Sequence, residues 1–180
     1  MKTLLLTGGT WYIGSHTAVL LLEHGYNIII LDNLSNSSDD VVGKIEQIAI
    51  TPPVASDIPL DEGKQKKASF VEGSGWAWAK SEGVVDIKFY QGDIRDKEIL
   101  KKIFSQENID GVIHFAGAKA VGVSCEEPFE YYENNVVWTL HLTEIMEEFW
   151  VKNIIFSSSA TVYDPSSTPP FTEKTLTGNT

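Results

Sequence analysis

The sequence predicts a doubly wound α/β fold, in which helices cover both faces of a parallel sheet. Short apolar runs of strand length alternate with amphipathic stretches of helix length along most of the chain. A glycine-rich segment at residues 8–14 directly follows the first apolar run and precedes the first helix-like stretch. Two boundary signals agree with this order, since Gly25 is placed to end the first helix and Asp96 to cap the helix that begins at Lys97.

The individual elements follow from the length and period of these runs. Apolar runs predict parallel strands at 3–7, 27–32, 85–91, 111–116 and 153–157. Helical periodicity predicts helices at 13–23, 39–50, 97–107 and 128–149. Alternation of the two types is typical of crossover connections between parallel strands.

Two stretches interrupt this alternation. Residues 51–84 begin with Thr51-Pro52-Pro53, have neither period, and are interpreted as a long surface insertion to which no fold is assigned. Residues 163–180 are rich in Ser, Thr and Pro and are predicted to be an extended loop. We therefore expect one domain over 1–180, truncated before its last strands.

Composition excludes several classes of protein. With 180 residues, 42% hydrophobic and 22% charged, the chain can bury a core and is not expected to be disordered. Its formal charge of -11 repels nucleic acid and anionic lipid surfaces, so neither is expected as a partner. The apolar run near the start is too short for a signal peptide or a membrane span, and we expect a cytoplasmic protein.

Cysteine and histidine spacing predicts no metal site. Cys125 is the single cysteine, and the sequence contains neither a Cys-x-x-Cys pair nor paired histidines at ligand spacing. Cys125 is interpreted as a small packed residue rather than a nucleophile.

The segment 8–14 has the features of a dinucleotide-binding turn. Gly8 and Gly14 fit the two outer glycine positions, where the backbone turns tightly and the helix packs against the sheet. Asp32 ends the next strand, where a carboxylate accepts hydrogen bonds from a ribose diol and repels a 2'-phosphate. The pattern therefore predicts NAD rather than NADP as the cofactor.

Further motifs extend this interpretation over nearly the whole chain. They resemble the motifs of the extended short-chain dehydrogenase/reductase family. The segments that carry the resemblance are Thr-Gly-Gly at 7–9, Tyr-Ile-Gly-Ser-His-Thr at 12–17, Asp-Asn-Leu-Ser-Asn-Ser at 32–37, Gly-Asp-Ile-Arg at 92–95, Ile-His-Phe-Ala-Gly at 113–117, Lys-Ala-Val-Gly at 119–122, Tyr-Tyr-Glu-Asn-Asn-Val at 131–136 and Phe-Ser-Ser-Ser-Ala-Thr-Val-Tyr at 156–163.

The resemblance implies a Rossmann-type NAD-binding domain and a set of cofactor contacts. These contacts would come from Gly8, Trp11, Tyr12, Ile13 and Gly14 at the pyrophosphate, from Asp32, Asn33, Asn36 and Ser37 at the adenosine ribose, from Asp93 and Ile94 at the adenine, and from Phe115, Ala116, Gly117, Lys119 and Asn134 beneath the cofactor. His114 is expected to be a core or supporting histidine, and Tyr131 and Tyr132 are expected to pack.

The last two motif groups resemble those of family members that epimerise nucleotide sugars. They imply NAD-dependent interconversion of UDP-glucose and UDP-galactose at sugar C4, with a UDP-sugar as the partner and a homodimer in the full-length enzyme. Ser159 would be both a catalytic and a substrate-binding residue, because it matches the serine that hydrogen-bonds the reacting hydroxyl. The family mechanism transfers a hydride from C4 to NAD and returns it to the other face of the sugar, with a tyrosine as base.

The chain departs from the family pattern at its catalytic pair. The residue four positions after Tyr163 is Ser167, and the Tyr-x-x-x-Lys pair is expected beyond Thr180, as is the C-terminal domain that holds the UDP-sugar. We therefore expect the 180 residues alone to be inactive.

All five tryptophans fall at positions that favour glycine. Trp11 stands where the backbone and the pyrophosphate approach most closely, so its indole would occupy space that the cofactor needs. Trp138 and Trp150 also stand where the family pattern has glycine, and Trp76 and Trp78 lie in a glycine-rich setting. Our hypothesis is that UGA codons meaning glycine were translated as tryptophan. As written, the chain is predicted to bind NAD poorly.

Two other functions remain open at this point. One is another NAD-dependent nucleotide-sugar epimerase or dehydratase, against which the segments 119–122 and 157–163 argue. The other is a non-catalytic NAD-binding or regulatory module, which is favoured if the chain ends at Thr180 and Trp11 is genuine.

Overall fold

The computed structural model describes residues 1–50, 68–71, 75–78 and 85–178. Its main sheet has five parallel strands, which are β1 (Thr3–Thr7), β2 (Asn27–Asp32), β5 (Ile87–Gln91), β6 (Gly111–His114) and β7 (Ile154–Phe156). Strands β3 (Ala68–Val71) and β4 (Gly75–Trp78) form a separate pair. Their spatial order is β5-β2-β1-β6-β7, which is the order of a doubly wound fold.

Helices connect these strands in the predicted alternation. They are α1 (Tyr12–Glu23), α2 (Asp40–Ile50), α3 (Lys97–Gln106), α4 (Val121–Glu126), α5 (Pro128–Tyr132) and α6 (Trp138–Glu148), with a π-helical turn at Glu133–Val137 and a 3-10 turn at Ala160–Val162. Among the helices of the described residues, none is long and apolar enough to cross a membrane.

Alternate residues of each strand face opposite sides of the sheet, so the core forms two layers. On one side, Leu5 and Ile29 pack against α3 and α6; on the other, Leu6 and Ile30 pack against α1 and α2. All four of these side chains are essentially inaccessible to solvent. Burial on both faces explains why the strands are continuously apolar, and it confirms the predicted doubly wound sheet.

Both predicted helix boundaries are present. Gly25 adopts the left-handed conformation after α1, with φ +84°. The Asp96 side chain accepts hydrogen bonds from the N–H groups of Glu98 and Ile99 at the start of α3.

The predicted helix at 128–149 is divided in the structure. Helices α5 and α6 are separated by the π-helical turn, which inserts wider turns into an otherwise continuous helical run. The short helix α4 was not predicted, because six residues are too few to establish a helical period.

The predicted insertion at 51–84 lies mostly outside the described residues. Within it the structure describes β3 (Ala68–Val71) and β4 (Gly75–Trp78), which pair antiparallel. The sequence analysis assigned no fold to this segment, and the structure adds a pair of strands over these eight positions. In the predicted tail, the described residues 163–178 form no helix and contain one isolated bridge, between Tyr163 and Thr177.

Candidate cofactor-binding cleft

A cleft opens at the carboxyl edge of the sheet, where β1 and β6 lie side by side. The strand order reverses direction between β1 and β6, which makes this the topological switch point of the sheet. Ligands of doubly wound folds bind in the crevice at this point. The cavity has a volume of about 420 Å³ and is lined by residues that follow β1, β2, β5 and β6.

The turn after β1 requires glycine at both of the predicted positions. Gly8 has φ +69°, and a Cβ added there would lie 2.7 Å from the backbone nitrogen of Ala116. A Cβ at Gly14 would lie 2.6 Å from the carbonyl oxygen of Gly8. The turn, the segment after β6 and the start of α1 are therefore in backbone-to-backbone contact, which leaves the Gly8 peptide on the cavity wall.

Asp32 ends β2 beside this turn and is 6% exposed. One of its oxygens accepts from the N–H of Thr10 at 3.0 Å, and the other accepts from the N–H of Leu34 at 2.9 Å. Asp32 therefore joins the glycine turn to the loop after β2. A carboxylate oxygen accepts more than one hydrogen bond, so each oxygen retains capacity for a ligand hydroxyl.

A second carboxylate, Asp93, lies in the loop after β5 and lines the same cavity. It accepts hydrogen bonds from the side chains of Asn33 at 2.8 Å and of Arg95 at 2.9 Å. Burial by itself raises the pKa of Asp93, but the hydrogen bonds from Arg95 and Asn33 outweigh it and hold the pKa below its ordinary value. The cluster fixes the loops after β2 and β5 against each other.

His114 is the last residue of β6, directly before the cavity-lining Phe115, and is 1% exposed. Its Nδ1 lies 2.6 Å from the hydroxyl of Thr7, and its Nε2 lies 3.0 Å from the hydroxyl of Thr139. Burial lowers the pKa of His114 to about 4, so the ring is neutral at physiological pH.

Trp11 is extended at the N-terminal boundary of α1, with φ -78° and ψ 171°. Its ring lines the cavity, and the Nζ of Lys119 lies 4.0 Å from the ring centroid. Burial lowers the pKa of Lys119. The indole thus pairs with Lys119, and both residues line the same cavity as Gly8.

The structure brings most of the predicted contact residues together. Those that line the cavity are Gly8, Trp11, Asp32, Asn33, Asn36, Asp93, Ile94, Phe115, Ala116, Gly117, Lys119 and Asn134.

Five predicted residues lie outside that cavity. Tyr12 and Ser37 line a shallower groove on the other side of Trp11. Ile13 and Gly14 belong to the first turn of α1, where Gly14 serves close packing. Ser159 lies after β7 and caps the 3-10 turn by accepting from the N–H of Thr161.

The sequence analysis missed eight lining residues. They are Leu31, Ser35, Gly92, Arg95, Ala118, Ala120, Glu130 and Tyr131. Ser35, Gly92, Arg95 and Ala120 lie inside the quoted motifs but were not singled out as contacts, and Leu31 and Ala118 are each one position outside a motif. Glu130 and Tyr131 reach the cavity only because α5 packs beside the loop after β6, which no local pattern indicates. Within the described ranges, no group of three or more His, Cys, Asp or Glu is placed to hold a metal ion.

A parallel sheet in the order β5-β2-β1-β6-β7, a glycine turn after β1 and an aspartate at the end of β2 together define a dinucleotide-binding α/β domain. Comparison with known families makes the assignment specific. The chain belongs to the NAD dependent epimerase/dehydratase family, whose sequence profile matches residues 4–180.

Individual relatives are similar over the whole chain. The UDP-glucose 4-epimerase of Neisseria meningitidis serogroup A is 44% identical over 180 residues, which are 100% of this chain and 43% of the relative. The UDP-glucose 4-epimerase of Bacillus subtilis is 42% identical over 170 residues, or 94% of this chain and 40% of the relative. The chain thus spans less than half the length of these relatives.

Solved structures confirm the fold. The UDP-glucose 4-epimerase of Bifidobacterium longum, solved in complex with NAD+ and UDP, superposes with a TM-score of 0.74 at 40% identity and covers 99% of this chain and 43% of that one. The Brucella ovis enzyme, solved in complex with NAD, superposes with a TM-score of 0.66 at 29% identity and covers 99% of this chain and 42% of that one.

Proposed function

We propose that residues 1–180 are the NAD-binding domain of an enzyme that interconverts UDP-glucose and UDP-galactose by epimerisation at C4 of the sugar. The observation that carries the proposal is the cleft itself, where the Gly8 turn and Asp32 face one cavity at the β1/β6 switch point. The match to UDP-glucose 4-epimerases over all 180 residues supports the choice of reaction.

The residues present fit a dinucleotide at most points. Gly8 lines the cavity at the turn that leads into α1, where backbone N–H groups suit a phosphate, and its lack of a Cβ lets the turn pack against Ala116. Asp32 has acceptor capacity for ribose hydroxyls, and Asn33 and Asp93 line the adenosine end. Trp11 is the exception, because its bulky side chain lines the same cavity as Gly8, where the family pattern has glycine.

Each side chain then has a definite task in the proposed reaction. When bound, NAD supplies the group that accepts a hydride from sugar C4 and returns it to the opposite face. Lys119 places a positive charge at the mouth of the cleft, where it favours an anionic diphosphate. The Ser159 hydroxyl accepts from the hydroxyl of Thr161 at 2.9 Å, so its own proton remains available to the sugar.

The base that takes the hydroxyl proton of the sugar is proposed to lie outside these 180 residues, together with the domain that holds the UDP-sugar. Tyr163 is followed four residues later by Ser167, not by lysine. A longer protein that contains this chain is proposed to be a cytoplasmic homodimer.

Comparison of NAD with NADP tests the role of Asp32. Asp32→Ala should narrow the preference for NAD, because the carboxylate both accepts from the ribose diol and repels a 2'-phosphate. The ratio of the two dissociation constants, measured by calorimetry, is the readout, since damage to the turn affects both cofactors equally. Asp39→Ala, at an exposed aspartate, should leave the ratio unchanged. Equal affinity for both cofactors in a complete protein with glycine at position 11 contradicts the role of Asp32.

Turnover in a longer protein that contains this chain tests Ser159. Ser159→Ala should reduce kcat for UDP-galactose more than it weakens UDP-sugar binding, because the hydroxyl acts on the reacting oxygen. Ser158→Ala, one residue away, is the matched control. A larger loss at Ser158 would move the assignment one residue upstream.

A non-catalytic cofactor-binding or regulatory module is the second candidate, and Trp11 favours it because its side chain lines the cavity where catalysis requires bound NAD. A longer protein that turns over UDP-galactose excludes this candidate.

A further inference from the structure

Two side chains of the helical run at 128–148 form hydrogen bonds with the backbone of the loop that follows β6. The Asn135 side chain accepts from the N–H of Ala118 at 2.8 Å and donates to the carbonyl of Ala118 at 2.9 Å. The Tyr131 hydroxyl accepts from the N–H of Ala120 at 3.0 Å and donates to the carbonyl of Ala120 at 2.9 Å. All four backbone polar groups on either side of Lys119 are therefore satisfied by two side chains.

The sequence spacing of Tyr131 and Asn135 suits the spacing of the backbone groups that they bind. Tyr131 and Asn135 are four positions apart, which places them on one side of a helical run. Their targets, Ala118 and Ala120, are two positions apart, as on one edge of an extended chain. Lys119 lies between them and lines the cavity with its Nζ over the ring of Trp11.

A series of hydrogen bonds connects Asn135 to the central strands of the sheet. The Thr139 hydroxyl donates to the carbonyl of Asn135 at 2.7 Å, so it must accept from the Nε2–H of His114. The Nδ1 of His114 then lacks a proton and accepts from the hydroxyl of Thr7 at the end of β1. An unbroken chain of hydrogen bonds thus leads from β1 to the π-helical turn that carries Asn135.

We propose that Tyr131 and Asn135 form a clamp that positions Lys119 at the mouth of the cleft, with His114 and Thr139 fixing the clamp to the sheet. Lys119 is a long side chain, and the energy it contributes to binding an anionic ligand depends on how little freedom its backbone retains. The clamp restrains the backbone on both sides of Lys119 through four hydrogen bonds. The choice of NAD as the ligand rests on the proposed function, whereas the clamp itself does not.

Amide hydrogen exchange in the 180-residue chain tests the clamp directly. Tyr131→Phe removes one hydroxyl and should raise the exchange rate of the Ala120 amide about threefold to tenfold, the range expected for one lost hydrogen bond. Amides of the core strand residues Leu5 and Ile29 should be unaffected. Tyr132→Phe is the matched control, because Tyr132 is the exposed neighbour.

Thr139 tests the connection to the sheet. Thr139→Val should raise exchange at Ala118 and weaken NAD binding, measured by NMR titration, about threefold to tenfold. Thr139→Ser retains the hydroxyl and should restore both quantities. Thr143→Val, one turn further along α6, removes an exposed hydroxyl that donates to Leu140 and should change neither.

Two outcomes would overturn the proposal. One is an unchanged Ala120 amide in Tyr131→Phe, and the other is equal behaviour of Thr139→Val and Thr143→Val. If Tyr131→Phe does not fold, the Thr139 series decides. Protected Ala118 and Ala120 amides in a Trp11→Gly chain that still fails to bind NAD would support the clamp and contradict the proposed function.

Discussion

At the scale of single residues, His114 couples the stability of the fold to pH. Burial lowers its pKa to about 4 in the folded chain, whereas an unfolded histidine has a pKa of about 6.5. The unfolded chain therefore takes up the proton first as pH falls. The stability that depends on a neutral His114 is complete above about pH 6.5, is lost progressively below it, and stops falling near about pH 4.

His114→Gln should remove this pH dependence. In the parent, the free energy of unfolding should fall by about 2 kcal/mol between about pH 7 and about pH 5 from this group alone. Glutamine keeps a donor and an acceptor but does not titrate in this range. The measurement is urea unfolding at both pH values, with His24→Gln at an exposed histidine as the control. An equal acid loss in His114→Gln and the parent would contradict the prediction.

Trp11 is the residue that separates the cleft from an ordinary dinucleotide site. Trp11→Gly should open more of the cavity that Gly8 lines and tighten NAD binding at least tenfold, because the Trp11 side chain lines the space that the ligand is proposed to fill. Calorimetry on both chains measures the change. Tight, stoichiometric NAD binding by the parent would show that the ring moves aside without cost.

Residues of the cleft differ in how far the sequence predicts them. Gly8 and Asp32 were predicted because a strand end, a glycine and a carboxylate at a strand end are local features of the chain. Tyr131 was expected only to pack, because its hydrogen bonds to Ala120 depend on how α5 approaches a loop eleven residues away. Local patterns specify turns and strand ends, and they carry no information on which loop a helix will contact.

At the scale of elements, α1 and α6 end in the same way with different residues. After α1, Gly25 is left-handed, with φ +84°, and the N–H of Tyr26 donates to the carbonyl of Leu21. After α6, Trp150 is left-handed, with φ +61°, and the N–H of Val151 donates to the carbonyl of Met146. Both are the helix ends at which glycine is preferred, because a Cβ is strained in this conformation.

Trp150→Gly should therefore stabilise the protein by about 1 kcal/mol, since the ring is 80% exposed and loses little packing when removed. Gly25→Ala is the mirror experiment and should destabilise by a similar amount, because a Cβ at Gly25 meets no atom within 4 Å and only the backbone strain is tested. Thermal unfolding measures both variants. A loss of stability in Trp150→Gly would show that the tryptophan is a native packing residue.

The recoding hypothesis gains support from only part of this set. Trp150 has a glycine-like φ, but Trp11 is extended, Trp138 is helical, and Trp76 and Trp78 lie in the strand β4. Backbone conformation therefore favours glycine at one of the five positions. The hypothesis stays a prediction that peptide mass spectrometry of the native protein can decide.

The sequence predicted the long elements better than the short ones. Strands β1 and β2 have their predicted limits, since a run buried on both faces is apolar throughout and ends where polar residues begin. Helix α4 and the pair β3 and β4 were missed. A six-residue helix has fewer than two turns, and pairing between two four-residue strands is decided by their partners.

At the scale of the whole molecule, the sheet is covered unevenly. Strands β1 and β2 are buried on both faces, whereas β7 lies at the edge next to β6 with Ile154, Ile155 and Phe156 exposed. An edge strand that carries a row of exposed apolar side chains is a site for association with other chains. The 180-residue chain should therefore self-associate at micromolar concentrations.

Ile155→Lys should reduce that association at least severalfold. The position is 64% exposed, so lysine can reach water without disturbing the core, and a charge on an edge strand opposes pairing with a second edge. Light scattering across a concentration series measures the effect. Leu20→Lys is the control, because Leu20 is 55% exposed but lies on α1, away from any sheet edge. If both variants reduce association equally, general surface charge rather than the β7 edge controls it; if neither does, the exposed edge is not the surface through which copies of this chain meet.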